Sequence, residues 1–111
     1  MATLDLPPAQ LRRLLDVIAQ QAPDAEVWAY GSRVSGGAHE GSDLDLVLRN
    51  PAGLDVPHPR LAGLREALNE SDLPILVDVR DWARLPPEHR QEIERGHVVV
   101  ARAAPPPASV K

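Results

Sequence analysis

At 111 residues, with 43% apolar and 25% charged side chains, the chain has the usage of one globular domain, and no second catalytic domain is expected within it. Its formal net charge is −4 and it has no Lys/Arg-rich run, which argues against direct binding along a nucleic-acid backbone. Any anionic ligand is therefore expected to be small, met by backbone amides, an arginine or two and bound metal. The absence of cysteine excludes disulfides, thiolate metal sites and cysteine nucleophiles. With no signal-peptide-like start and no apolar run of membrane-spanning length, the expectation is a cytoplasmic protein without a membrane partner.

Pro7 and Pro8 suit the opening of a helix, and Leu11, Leu14, Leu15 and Ile18 recur at the spacing of one helical face. That helix should end near Gln21, because Pro23 disfavours helix at the residue before it. A strand is predicted from about Glu26 to Tyr30. Gly31-Ser32 interrupts it, and the glycine-rich run from Arg33 to Ser42 has room for at most a short helical turn. Ser42 to Leu48 reads as a strand with Leu44, Leu46 and Leu48 on one face and Asp43, Asp45 and Val47 on the other. After a turn at Asn50 to Gly53, Leu61, Leu64 and Leu68 mark a second amphipathic helix ending near Glu70. A β-prone run from Ile75 to Val79 carries Asp78 in its midst. Pro86 and Pro87 open a third helix through Arg95, with Gly96 as its C-terminal cap, and His97 to Ala101 forms a last strand. The domain is expected to span residues 1–103, followed by a flexible Pro-rich tail over residues 104–111.

The chemistry concentrates in the middle of the chain. Carboxylates at i and i+2 on a strand project to the same side, where their repulsion is costly unless a cation is shared. Magnesium suits Asp43 and Asp45, since it takes one or two protein carboxylates and completes its octahedron with water and phosphate oxygens. Alone, Asp-x-Asp reads first as the solvent face of an edge strand. The preceding strand, Gly31-Ser32 and glycine-rich segment supply the missing half, phosphate-binding amides opposite metal-binding carboxylates. Gly31 admits a phosphate close to the backbone, Ser32 offers hydroxyl and amide, and Arg33 is expected to neutralise a leaving pyrophosphate. His39, His58, His89 and His97 show no metal-ligand spacing. Trp28, Tyr30 and Trp82 read as core or partner interface, leaving the base-binding pocket unidentified.

Gly31-Ser32, ten residues, then Asp43-Leu44-Asp45 resembles the signature of nucleotidyltransferases of the DNA polymerase β superfamily. The small size, "YGSRVSGGAHEGSDLDLVL" and the closing "HRQEIERGHVVVA" are similar to the minimal nucleotidyltransferase antitoxins that accompany HEPN-domain toxins. The resemblance covers about Ala9 to Ala101. It implies an α+β polymerase β-like fold, a small mixed sheet with helices packed mainly on one face. It also implies a third carboxylate on a neighbouring strand, at Asp78. The residues agree, because an Asp among Ile75, Leu76, Val77 and Val79 is expensive to bury unpaired and is expected to face the same metal site. The other reading of Asp78 is a strand-end residue beside Arg80.

The resemblance implies two Mg²⁺ ions held by Asp43, Asp45 and Asp78, with ATP as substrate and attack by a hydroxyl on the α-phosphorus. Asp43 and Asp45 would bridge the ions, and Asp78 would bind the metal nearest the nucleophile and could take its proton. The acceptor implied is a tyrosine of a cognate HEPN ribonuclease toxin, bound in a hetero-oligomer and silenced by AMP transfer. Two alternatives stand beside this: an antitoxin that neutralises by contact alone, and nucleotidyl transfer to a small molecule.

Overall fold

The computed structural model describes residues 4–37 and 41–102. The tail expected to be flexible and His39 lie outside the described residues. The first helix, α1 (Pro8–Gln21), starts at the proline pair as expected, and its inner stripe buries Leu14 and Ile18. Strand β1 (Glu26–Tyr30) has the predicted bounds and passes through Gly31 into a single helical turn, α2 (Ser32–Ser35). Then come β2 (Leu44–Arg49), α3 (Leu61–Glu70), β3 (Val77–Asp81), a 3₁₀ turn (Trp82–Arg84), α4 (Pro87–Arg95) and β4 (Val98–Ala101).

Three local expectations shift. Asp43 precedes β2 rather than lying within it. β3 lies two residues later than the run Ile75 to Val79. Pairing with β2 begins at Leu44 and Val77, and Leu76 stays 72% exposed. The strand extends through Asp81 because that buried carboxylate is satisfied, accepting from the amides of His58 and Ala83. Gly96 does end α4, but in extended backbone (φ −151°) with its amide on Ile93 O, so a left-handed glycine cap is absent there.

The sheet order is β3-β2-β1-β4. β1 is antiparallel to both β2 and β4, while β2 and β3 run parallel, joined through α3, which makes the sheet mixed. On one face Leu44, Leu46 and Leu48 of β2, with Val27, Ala29 and Val79, pack against Leu14 and Ile18 of α1 and Leu64 and Leu68 of α3. The other face is half covered: the 3₁₀ turn and α4 bring Trp82, Leu85 and Ile93 onto Trp28 and Val47. Alternation groups Val47 with the two aspartates, and it does share their face, yet it is fully buried because α4 roofs that end of the strand. Arg49 stacks its guanidinium 3.8 Å from the Trp28 ring and pairs with Glu26, closing this second cluster. Among the described residues no helix is long and apolar enough to cross a membrane.

This two-sided burial makes Val47→Thr a core substitution despite its place on the aspartate face. A hydroxyl buried without a partner is expected to cost about 1–3 kcal/mol, read as a lowered urea midpoint with an unchanged slope. A loss below about 0.5 kcal/mol would mean that the face is wet there.

Candidate active site

Polar residues gather at the C-terminal end of β1 and the start of β2, where His89 of α4 meets the Tyr30 ring edge-on. Tyr30 lies opposite Asp45 across the β1–β2 ladder, and Asp45 lies opposite Asp78 across the β2–β3 ladder. One row thus crosses three adjacent strands, about 4.8 Å apart. Asp43, one residue before β2 and two before Asp45, is exposed.

The electrostatics record the crowding. Burial first, then the charges of Asp78 and Asp43, push the Asp45 carboxyl above the ordinary carboxylate range, with Arg80 and His89 opposing. Tyr30, half-buried, has its hydroxyl pushed up to about 12, chiefly by burial and then by the charge on Asp45. It stays protonated at neutral pH, a hydrogen-bond donor rather than a base.

Asp78 stands next to Asp45 by register and is half exposed rather than buried. Its side chain is 46% exposed, and its Oδ2 accepts from Arg80 Nε at 3.1 Å. Both readings of this residue hold in part: it sits beside Arg80, and its register sets it next to Asp45. Among the described residues no group of three His, Cys, Asp or Glu side chains is gathered as a metal site. The donor set nevertheless suits a hard dication, being all carboxylate oxygen with a mutual repulsion that such an ion relieves. In this structure Arg80 serves as the counter-cation.

Gly31 is positioned by a constraint only glycine meets. Its φ of 84° with ψ of −156° is closed to other residues, and a Cβ there would overlap Asp45 Oδ2. The turn therefore rests directly against the central carboxylate, with Ser32 beside it. Arg33 departs from expectation. It is buried (5% exposed), its Nε donating to Ser42 O and its NH1 to Asp5 O, while its own carbonyl accepts from the Asp5 amide. It clamps the start of the chain and the end of the glycine-rich loop to α2, so neutralising a pyrophosphate is not the task its guanidinium is placed for.

A cleft of about 640 Å³ adjoins the turn, lined by Gly31, Ser32 and, from α4, Glu92 and Arg95. Sequence reasoning missed Arg95, and with it Arg80 and His89 near Asp45. Arg80 was within reach, since it shares a face with Asp78 by period-two alternation. Nothing along the chain ties Arg95 or His89 to Gly31 or Asp45; only the return of α4 across the sheet does.

A family model described as "Nucleotidyltransferase domain" matches residues 11–100. The chain is 41% identical over 100 residues to "Probable protein adenylyltransferase MntA" of Haemophilus influenzae, covering 89% of this chain and 85% of that protein. Among solved structures, a "Crystal structure of the toxin-antitoxin with AMP-PNP" matches with a TM-score of 0.65 at 17% identity, over 83% of this chain and 73% of that one.

Two substitutions test this geometry. Gly31→Ala is expected to cost about 1–3 kcal/mol in chemical unfolding, because both its backbone and the Asp45 carboxylate must move. An unperturbed midpoint would show that the turn yields freely. Asp45→Asn should act in the opposite direction without metal. Since folding raises this carboxyl's proton affinity, its contribution to stability is full below the unfolded-state pKa and is lost as pH rises through the folded-state one. At neutral pH its charge is then a net cost, and the substitution should raise Tm by a few degrees in EDTA, with the gain fading at about pH 4. A lowered Tm at neutral pH would contradict the crowding.

Proposed function

Because this chain belongs to the nucleotidyltransferase family, we propose that it is an antitoxin that transfers AMP from ATP to a tyrosine hydroxyl of a HEPN-type ribonuclease toxin, silencing it. The observation that carries the reading is the row Asp45–Asp78 with Asp43 beside it and Gly31 pressed against its centre. The name of the Haemophilus influenzae relative supports a protein acceptor, and the AMP-PNP of the structural relative supports a nucleotide donor. A chain without cysteine suits a reducing cytoplasm.

Asp43, Asp45 and Asp78 would hold two Mg²⁺ ions, whose chemistry is to stabilise the attacking and leaving oxygens of an in-line displacement. The triphosphate would lie along Gly31, where no side chain intervenes, with the Ser32 hydroxyl donating to a terminal phosphate. Arg95, in the cleft beside Ser32, is the cation placed for the charge that Arg33 does not meet. The acceptor oxygen bonds to the α-phosphorus as the bond to the β-phosphate bridge breaks, and pyrophosphate leaves. The acceptor's proton passes to Asp78, whose Oδ2 already accepts from Arg80 Nε. Tyr30, kept neutral, offers its hydroxyl to the same row.

The test is incubation with α-labelled ATP and Mg²⁺, with and without the protein encoded beside it. Label should move to a tyrosine of that neighbour, stop with EDTA, and fall by about 100-fold or more in Asp45→Ala. Toxin inhibition by an Asp43→Ala/Asp45→Ala variant, with no label transferred by the wild type, would replace transfer by neutralisation through contact.

A further inference from the structure

The strand order fixes from which side an acceptor arrives. Gly31-Ser32 follows β1, Asp45 stands on β2 and Asp78 on β3, the edge strand. In-line displacement sets the entering and leaving oxygens on opposite sides of phosphorus. With pyrophosphate leaving over the Gly31 turn, the entering hydroxyl comes in over β3.

On that side lies a pocket of about 400 Å³ that Asp78 itself lines, together with Arg65, Arg80, Arg84, Leu61 and Leu85. It wraps the open edge of β3. Arg65 reaches from α3 to donate its Nε to Val79 O at 2.8 Å, capping an edge-strand carbonyl and so blocking the edge to strand addition. Arg84 stands exposed on the 3₁₀ turn. Of the two carboxylates lining the pocket, Asp81 is buried and takes two backbone amides, and Asp78 takes Arg80. Three guanidiniums against two carboxylates leave the lining at +1, in a chain whose total is −4. A local basic pocket beside the attacking position is thus set into an acidic protein.

We propose that this pocket docks an acidic segment of the acceptor polypeptide, carboxylates flanking the hydroxyl that is modified; the inference rests on the nucleotidyl-transfer reading and names its acceptor chemistry. Guanidiniums bind carboxylates with paired donors, and Leu61 and Leu85 give aliphatic surface to the stems of Glu side chains. The pocket's confinement to three arginines at one strand edge favours a short peptide over a nucleic acid, which needs a longer basic track.

The probes are two synthetic peptides on the full chain, Glu-Glu-Tyr-Glu-Glu and Lys-Lys-Tyr-Lys-Lys, followed by the Nε–Hε resonances of arginine. The acidic peptide should shift Arg65, Arg80 and Arg84, weaken with added salt, and lose about tenfold in affinity in Arg84→Glu. Arg84→Gln, which changes no backbone contact, gives the same direction with a smaller loss should the charge reversal unfold the chain. Equal binding of both peptides, shifts confined to other arginines, or no shift at millimolar peptide would overturn the proposal. MgATP binding to the wild type, measured in parallel, reports the nucleotide reading separately. MgATP bound without peptide removes only the docking pocket; peptide bound without MgATP removes only the nucleotide reading.

Discussion

Asp45 is the point on which the other features converge, because it is a carboxylate on an inner strand of the sheet that feels the charges of two more carboxylates. The parallel register of β2 and β3 sets Asp78 beside it, and Asp43 lies two residues before it, just outside β2. Partial burial adds to the cost of its charge. Such a concentration of like charge persists because the surrounding structure holds it and Arg80 and His89 oppose it. Gly31 packs against this carboxylate as no other residue can, so the Gly31-Ser32 turn and the carboxylate row form one unit.

The two-faced packing supplies the rigidity. α1 and α3 bury one side of the sheet, and α4 with the 3₁₀ turn buries half of the other, so β2 is held on both faces immediately beyond Asp45. Trp28, stacked on His97 at 3.8 Å and edge-on to Trp82, fills the space under α4. The uncovered half of that face is where polar groups collect. Arg33 adds a second restraint, tying residue Asp5 and Ser42 to α2 from inside the protein. Its burial explains why an arginine directly after Gly31-Ser32 serves the loop's shape.

Arg80 and Arg95 divide the cationic work around the row. Arg80, two residues from Asp78 on the same strand face, occupies the carboxylate that the proposed chemistry requires, so a dication and this guanidinium compete for the same oxygens. Arg95 comes from the last turn of α4, a helix whose other duty is to bury Ile93 against the tryptophans. One short helix thereby both packs the second core and lines the cleft beside Ser32.

The succession of elements was legible along the chain, because proline pairs, apolar spacing and alternation are local signals: α1, β1, α3 and α4 begin and end within a residue or so of expectation. The spacing of Gly31-Ser32 and Asp43-Leu44-Asp45 likewise named the family's chemistry before any contact was known. Local pattern could not decide which strands are neighbours, and so could not show that Asp78 stands beside Asp45 through register rather than through burial. Nor could it assign Arg33 to the interior, Val47 to a second core, or Arg95 to the cleft beside Ser32. Those outcomes depend on α3 carrying the chain across to a parallel edge strand and α4 returning over the sheet. Such contacts join residues far apart in sequence, and only the packing of the whole chain sets them.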